Sequence, residues 1–317
     1  MDIASVQCQV AAVAMKIAAV SEIKTANFIM LGHPFLDTIL RRLELVPVNG
    51  YPKVISTFHR RSIAVKTQEF EDKLFIVKGI GWSHGPPWTF LSPKDDQLYF
   101  GLMDKNSAIR ELKVSNWFLN AGIHSTRVIK YEVLTANELL LFGLNQKTSF
   151  KNGNKVSPVV LVTESLSAFR VNDFTPRNHK DWLNEFLTHN KPTQLENPNI
   201  RDFIRNFTEK LVVNIEKYQS LGGVNDTLSA DNVTIAGEIT DFEWIYVPGI
   251  PLPDGWTDKY LFERQEKEAI YYIDIMLALC EGLSVDITIG ELASIGCEKL
   301  QNNAIGFSKC LMQIAEG

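Results

Sequence analysis

The chain has 317 residues, 45% of them hydrophobic and 22% charged, with a net charge of -5. This is the composition of an ordinary globular chain, long enough for one large domain or for two lobes around a cleft. The acidic balance gives no footprint for nucleic acid, because the nearest basic cluster, Arg41, Arg42, His59, Arg60 and Arg61, is diluted by acidic neighbours and reads as solvated surface.

In chain order, the Ala/Val-rich stretch 10–20 comes first. Asp2 stands where a signal peptide needs a basic residue, and Lys16 interrupts the apolar run, so a packed N-terminal helix is expected rather than a leader. No stretch reaches the roughly 18 uncharged apolar residues of a membrane span. Residues 54–57, 62–67 and 73–77, rich in Val, Ile and Phe, are predicted strands. Residues 97–103 form another strand or a hairpin. A helix follows over 107–120, capped by Asp104, Asn106 or Ser107 and ended by Ala121-Gly122. Residues 128–134 and 158–163 complete the strands. The stretch 164–178 is the predicted boundary between a mixed N-lobe (1–170) and a helical C-lobe (171–317).

Helices are expected over 179–189 and from Asn197-Pro198 to the Leu221-Gly222-Gly223 stop. The second carries Phe203, Ile204, Phe207, Leu211, Ile215 and Tyr218 along one face. A short strand pair, 233–235 and 238–240, turns at Ala236-Gly237. A Pro-rich loop at 248–253, a long apolar helix over 262–280 and a shorter terminal helix follow. The expected class is α+β, a β-rich lobe with one inserted helix followed by a helical lobe.

Three groups of residues carry candidate chemistry. Lys78 ends an apolar strand and is followed by Gly79-Ile80-Gly81. A strand-end ammonium can meet a phosphate, and glycines let backbone amides approach one, although exposed strand-end lysines are also routine. Glu111 lies on the helix over 107–120, where it is either a surface carboxylate or the ionic partner that orients Lys78. Asp231-Asn232 stand in a loop after a long amphipathic helix, and Asp241 follows nine residues after Asn232. Such residues form turns around any hairpin, and they also hold divalent metal between phosphates. The order Lys, Glu, Asp-Asn, Asp across a mixed half and a helical half is that of a protein kinase.

These residues resemble the selenoprotein O family, also called the YdiU family. Lys78-Gly79-Ile80-Gly81 is similar to its Lys-Gly-Ala-Gly segment. Ile109-Arg110-Glu111 with Gly122-Ile123-His124-Ser125-Thr126-Arg127 resembles its Ile-Arg-Glu and Gly-Ile-Pro-Thr-Thr-Arg helix without a gap. Asp231-Asn232-Val233-Thr234-Ile235-Ala236-Gly237 and Asp241 resemble its Asp-Asn-Met-Ser-Ile-Leu-Gly and Asp block at the same spacing. The resemblance implies a two-lobed, protein-kinase-like fold that binds ATP and Mg²⁺ or Mn²⁺ and transfers AMP to a protein hydroxyl or a small molecule. It implies that Lys78 and Glu111 pair, that Asn232 and Asp241 bind metal, and that Asp231 is the general base. Lys78, Gly79, Gly81 and Arg170 would hold the nucleotide.

The chain departs from the family at several points. Thr163 stands where the pattern Arg-x-x-x-Ser-His-x-Arg-x-Gly has its first arginine, and Ala168 stands where it has histidine. Arg170 matches the second arginine. Residues 225–230 lack the family's His-Gly, and the C-terminal Cys-x-x-Cys or Cys-x-x-Sec element is missing. An ordinary phosphotransferase and a non-catalytic pseudokinase scaffold are therefore alternatives.

Other chemistry is not encoded. The six His are scattered, and no HExxH, GxSxG or GxGxxG sequence occurs. Cys8, Cys280, Cys297 and Cys310 form no CxxC pair and read as free thiols in a reducing, cytoplasmic compartment. No nucleic-acid or membrane partner is expected.

Overall fold

A computed structural model describes residues 34–45, 53–56, 62–66, 74–79, 103–141, 158–173, 200–252, 256–301 and 306–316. They form a mixed α/β fold. Helix α1 spans Pro34–Arg42. Strands β1 (Lys53–Ser56), β2 (Ser62–Lys66) and β3 (Leu74–Lys78) follow. Then come β4 (Met103–Asp104), α2 (Lys105–Asn120), β5 (Arg127–Val133), α3 (Ala136–Leu141) and β6 (Pro158–Ser165). The remainder is mostly helical: α4 (Ile200–Ser220), the short β7 (Val224–Asn225) and β8 (Ile245–Tyr246), then α5 (Asp258–Gly282), α6 (Ile289–Cys297) and α7 (Gly306–Glu316).

The main sheet is antiparallel, in the order β1-β2-β3-β6-β4, with β5 also pairing along β6. Strand β6 is the hub. Val159, Val160, Leu161 and Val162 are all buried, as expected of a strand covered on both faces. One cluster of buried apolar residues joins the sheet side to the helices. It holds Met103, Val159 and Leu161 together with Phe207, Leu211 and Ile215 of α4 and Tyr272, Ile275 and Met276 of α5. Phe118 of α2 stacks on Tyr218 and meets Phe242 edge-on, with ring centroids 5.9 and 5.6 Å apart. Aromatic contacts of this kind add to the burial itself.

Of the expected elements, the strands over 54–57, 62–67, 73–77, 128–134 and 158–163 and the helices over 107–120, 197–221 and 262–280 are present with shifted ends. Asp104, rather than Asn106 or Ser107, caps α2: its carboxylate accepts from the amides of both. Residues Glu164 and Ser165, read as the start of a linker, belong to β6, where they pair with Phe75 and Leu74. The expected strand pair around Ala236-Gly237 reduces to a single antiparallel bridge, Val233 to Ile239. The expected terminal helix is two helices, α6 and α7. The stretches 10–20 and 179–189, and most of 97–103, lie outside the described residues. So does Cys8; Cys280, Cys297 and Cys310 are free thiols. Among the described residues no helix is long and apolar enough to cross a membrane.

Two buried carboxyls give the fold a pH dependence. Glu238 accepts from the Ser165 hydroxyl, the Leu166 amide and the Thr234 hydroxyl, and burial still raises its pKa to about 7. Burial raises Glu268 to about 8 despite bonds from the Asn225 amide and Gln219. Each folded pKa lies above the ordinary glutamate value of 4.5. At pH below that value both states are protonated. Between it and the folded pKa the unfolded chain has released a proton that the folded chain keeps, so stability falls as pH rises, by about 1.4 kcal/mol per unit for each group. The melting temperature is therefore expected to drop from pH 5 to pH 8, with a shallower drop in Glu238→Gln. A melting temperature that rises over this range in the wild type contradicts the assignment.

Candidate functional site

Lys78 is the last residue of β3. Alternation along the strand puts it on the same face as Ile76. In register, Ser62 of β2 stands opposite Lys78 and Thr163 of β6 opposite Ile76. This patch of sheet is one wall of a cavity of about 30 Å³. The other walls include Glu111, Thr126, Arg170 and Asp241.

Glu111 reaches the cavity from α2. The buried residues of that helix include Ala108, Glu111, Ser115 and Phe118, which recur at three- and four-residue steps. The carboxylate thus sits on the face that packs inward, and its side chain is 3% exposed. Arg110, the residue before it, faces the other way. Its three guanidinium nitrogens donate to the carbonyls of Glu243, Ile245 and Pro251 at 2.6–2.7 Å. That fork fastens α2 to the segment after Asp241.

Asp241 is delivered by the turn over 233–239. The Val171 amide donates to the Val233 carbonyl and the Ile235 amide to the Phe169 carbonyl. On the other side, the Thr126 amide donates to the Ile239 carbonyl and the Ile239 amide to the His124 carbonyl. Asn214 of α4 braces this junction by bonding both the amide and the carbonyl of His124. Asp241 then adopts a left-handed backbone, φ 61° and ψ 72°, at the entry to a 3-10 turn over Phe242–Trp244. Asp and Asn tolerate that conformation better than other residues with a Cβ.

The three groups meet. The Lys78 ammonium donates to Glu111 Oε1 at 2.7 Å and to Asp241 Oδ1 at 2.6 Å. Burial pulls the Lys78 pKa down, but Asp241 and Glu111 outweigh it and hold it above the ordinary lysine value. Burial raises Glu111 to about 7 against the opposing pull of Lys78, with Asp241 adding to the rise. The Arg170 guanidinium lines the same cavity, so two cationic and two carboxylate side chains face it.

Arg170 enters from the segment after β6, where its backbone forms an isolated bridge with Thr234. It donates to the Asp231 carbonyl and, at 3.3 Å, to Asn232 Oδ1. Burial lowers its pKa, opposed by Asp241, Asp173 and Asp231. Asn232 is further fixed because its Nδ2 donates to the Thr227 carbonyl at 2.8 Å. The Thr240 amide donates to the Asn232 carbonyl at 3.0 Å, so Asn232 and Asp241 stand on hydrogen-bonded neighbouring segments. Asp231 is exposed, and its Oδ1 accepts from Asn172. Gly79 has φ 86°, and a Cβ there would lie 2.5 Å from the Val159 carbonyl. Close approach to β6 already requires a glycine at this position. Gly81 lies outside the described residues.

Carboxylate oxygens of Glu111, Asp241 and Glu243 lie within 4.8 Å of one another. Carboxylate oxygens are hard donors of the kind Mg²⁺ and Mn²⁺ take.

No family model matches the chain, and no curated protein matches it. The resemblance to the selenoprotein O family therefore rests on the three blocks of residues alone. Among solved structures, the chain is similar to a complex of Neurospora crassa PAN2 (WD40-CS1) with PAN3 (pseudokinase and C-term). The identity is 10% and the TM-score 0.36, over 89% of this chain and 63% of that one. The chain thus spans less than two thirds of that structure's length.

Two features of the site were not read from the sequence. Glu243 joins the acidic group only because the 3-10 turn after Asp241 folds it back, and its Oε1 also accepts from the Ser107 hydroxyl at 3.0 Å. The Arg110 fork depends on carbonyls far along the chain. Glu111 did carry a usable signal: a carboxylate in phase with Ala108, Ser115 and Phe118 is on the inner face of its helix.

Proposed function

We propose that the chain is a two-lobed, protein-kinase-like transferase that uses ATP and a divalent metal to move AMP onto a hydroxyl of a protein or small molecule. The observation that carries this reading is the Lys78 ammonium held between Glu111 and Asp241. An ammonium, a helix carboxylate and a metal-binding carboxylate meeting between a sheet and helices is the arrangement that phosphate transfer from a nucleotide needs. Little covalent chemistry is asked of the protein; positioning and charge neutralisation supply most of the rate.

In this reading Glu111 orients Lys78 toward phosphate oxygens. Asn232 and Asp241 would hold the metal, which when bound would offset the triphosphate charge. Arg170, walled into the same cavity, supports an inward-facing phosphate chain. Asp231 takes the proton of the acceptor hydroxyl. The hydroxyl oxygen bonds to the α-phosphorus, the bond to the bridging oxygen breaks, and pyrophosphate leaves. At about 30 Å³ the cavity has room for water rather than for a nucleotide, so binding would require the Lys78–Asp241 contact to open.

Thr163 favours a second reading. It lines the cavity where the resembled pattern has an arginine, and a hydroxyl cannot replace a guanidinium fork on phosphate. With Arg170 alone, an ordinary pose and γ-phosphate transfer come into range. Incubation with Mn²⁺ and ATP labelled at the α or the γ phosphorus separates the two. Label retained from the α position is the expected result. Label retained only from γ makes the chain a phosphotransferase, and retention of neither overturns both readings.

A further inference from the structure

The loop that carries Asp231 and Asn232 is tied to the start of α5 by a cluster that the proposed transfer does not use. Asp226 stands at the start of that loop. Its carboxylate forms an ion pair with Arg264 Nε at 2.8 Å and accepts from the Tyr260 hydroxyl at 2.6 Å. Arg264 is held in turn. Its Nη1 donates to the Tyr271 hydroxyl at 2.7 Å, and its guanidinium lies 4.6 Å from the centre of the Tyr260 ring. The Trp256 ring lies 5.0 Å from that of Tyr260. Tyr260 and Arg264 are four residues apart on α5, so one helix face presents both to Asp226.

The residue after Asp226 gives the cluster a purpose. It is Thr227, whose carbonyl accepts from Asn232 Nδ2 at 2.8 Å. The Thr227 amide is itself fixed by Asn225 Oδ1 at 3.0 Å. A carboxamide has two ends, and bonding one end sets the direction of the other. With Nδ2 committed to Thr227, Oδ1 is turned toward Arg170, on the side of the cavity.

From this chain of contacts we infer that Asp226, Arg264 and Tyr260 are positioning residues that set Asn232 for metal through the Thr227 carbonyl. The inference rests on the reading of Asn232 as a metal ligand. Partners of metal ligands commonly change affinity by about 10- to 100-fold when lost. An anchor that served only the fold would change stability and leave metal affinity alone.

The test uses the full chain with Arg264→Ala, Arg264→Lys and Tyr260→Phe. Tyr260→Phe removes one hydroxyl and carries little folding risk. Mn²⁺ binding is read from the electron paramagnetic signal of the free ion, in the presence of a non-hydrolysable ATP analogue. Backbone hydrogen exchange over 226–232 is followed separately without nucleotide or metal. The expected result is a Mn²⁺ affinity weakened by about 10-fold in Arg264→Ala, the lower end of what loss of a ligand's direct partner costs, and less in Tyr260→Phe, with partial recovery in Arg264→Lys. Exchange over 226–232 quickens in the same order. Mn²⁺ affinity that is unchanged in all three variants overturns the inference, whatever their stability. A wild-type chain that takes up no Mn²⁺ beside the analogue overturns the metal reading itself, and the role inferred for the anchor with it; exchange data then describe a structural tie alone.

Discussion

Asp241→Asn is expected to weaken the proposed metal-dependent transfer by about 10²- to 10³-fold and to leave the fold in place. The substitution is chosen for the backbone. Asp241 sits at φ 61°, where asparagine is tolerated and alanine adds strain, so the loss reports chemistry rather than unfolding. The variant keeps an oxygen facing Lys78 but takes away the negative charge that draws both an ammonium and a divalent ion. Displaced or neutralised groups that act on developing charge typically cost in this range. The Lys78 pKa falls in the variant, because attraction to Asp241 is the larger of the two forces that raise it. Initial rates with Mn²⁺ and ATP, beside melting curves, check both halves of the expectation. A rate within threefold of wild type rejects the role given to Asp241.

Lys78→Met is expected to stop turnover and to make stability depend more steeply on pH. The ammonium is the shared partner of Glu111 and Asp241, so its loss leaves two carboxylates facing each other. Breaking a buried pair can cost about 3–5 kcal/mol when a charge is stranded. Glu111 avoids part of that cost by taking up a proton. Its pKa is already about 7, and Lys78 is what holds it down, so it moves higher in the variant. Below about pH 7 the carboxyl keeps its proton in both folded proteins, and the variant's extra loss is small. Between that pH and the raised pKa only the folded variant still holds a proton that its unfolded chain has released, so the extra loss grows there and levels off above it. Melting curves at pH 6 and pH 8.5 should therefore diverge more for Lys78→Met than for wild type. Lys78→Arg is not expected to rescue turnover, since a guanidinium is larger and planar where the site fits a compact ammonium.

The fold was legible where periodicity is strong. The apolar runs of β2, β3 and β6, the single-faced pattern of α4 and the Asp104 cap of α2 all follow from local chemistry. Helices α1 and α3 were not foreseen, because each is short and held by distant partners. Arg42 at the end of α1 pairs with Glu138 on α3 and with Glu132 on β5. The turn over 233–239 was foreseen as a strand pair, yet its amides are divided between two flanking segments, 169–172 and 124–126, which leaves one bridge of its own. That division is what sets Asn232, Asp241 and Arg170 side by side.

For the site, the chain order of Lys78, Glu111 and Asp241 was the legible signal, since each residue type alone also has ordinary uses at a strand end, on a helix surface or in a turn. Contacts that depend on tertiary folding were not legible. Glu243 arrives through a turn, Arg110 through carbonyls of another segment, and Arg264 through a helix face that meets the loop only in space. Gly79 shows the converse: its place beside Lys78 suggests a phosphate loop, while the Val159 carbonyl beside it is enough to explain the residue.

The proposed function requires a nucleotide and a divalent ion to bind together at the cavity lined by Lys78, Glu111 and Asp241. Isothermal titration of ATP into the wild-type chain, with Mn²⁺ and with a chelator, tests it most directly. Saturable one-site binding with Mn²⁺, strongly weakened by the chelator, is the predicted result. Absence of binding heat at several temperatures under both conditions contradicts it.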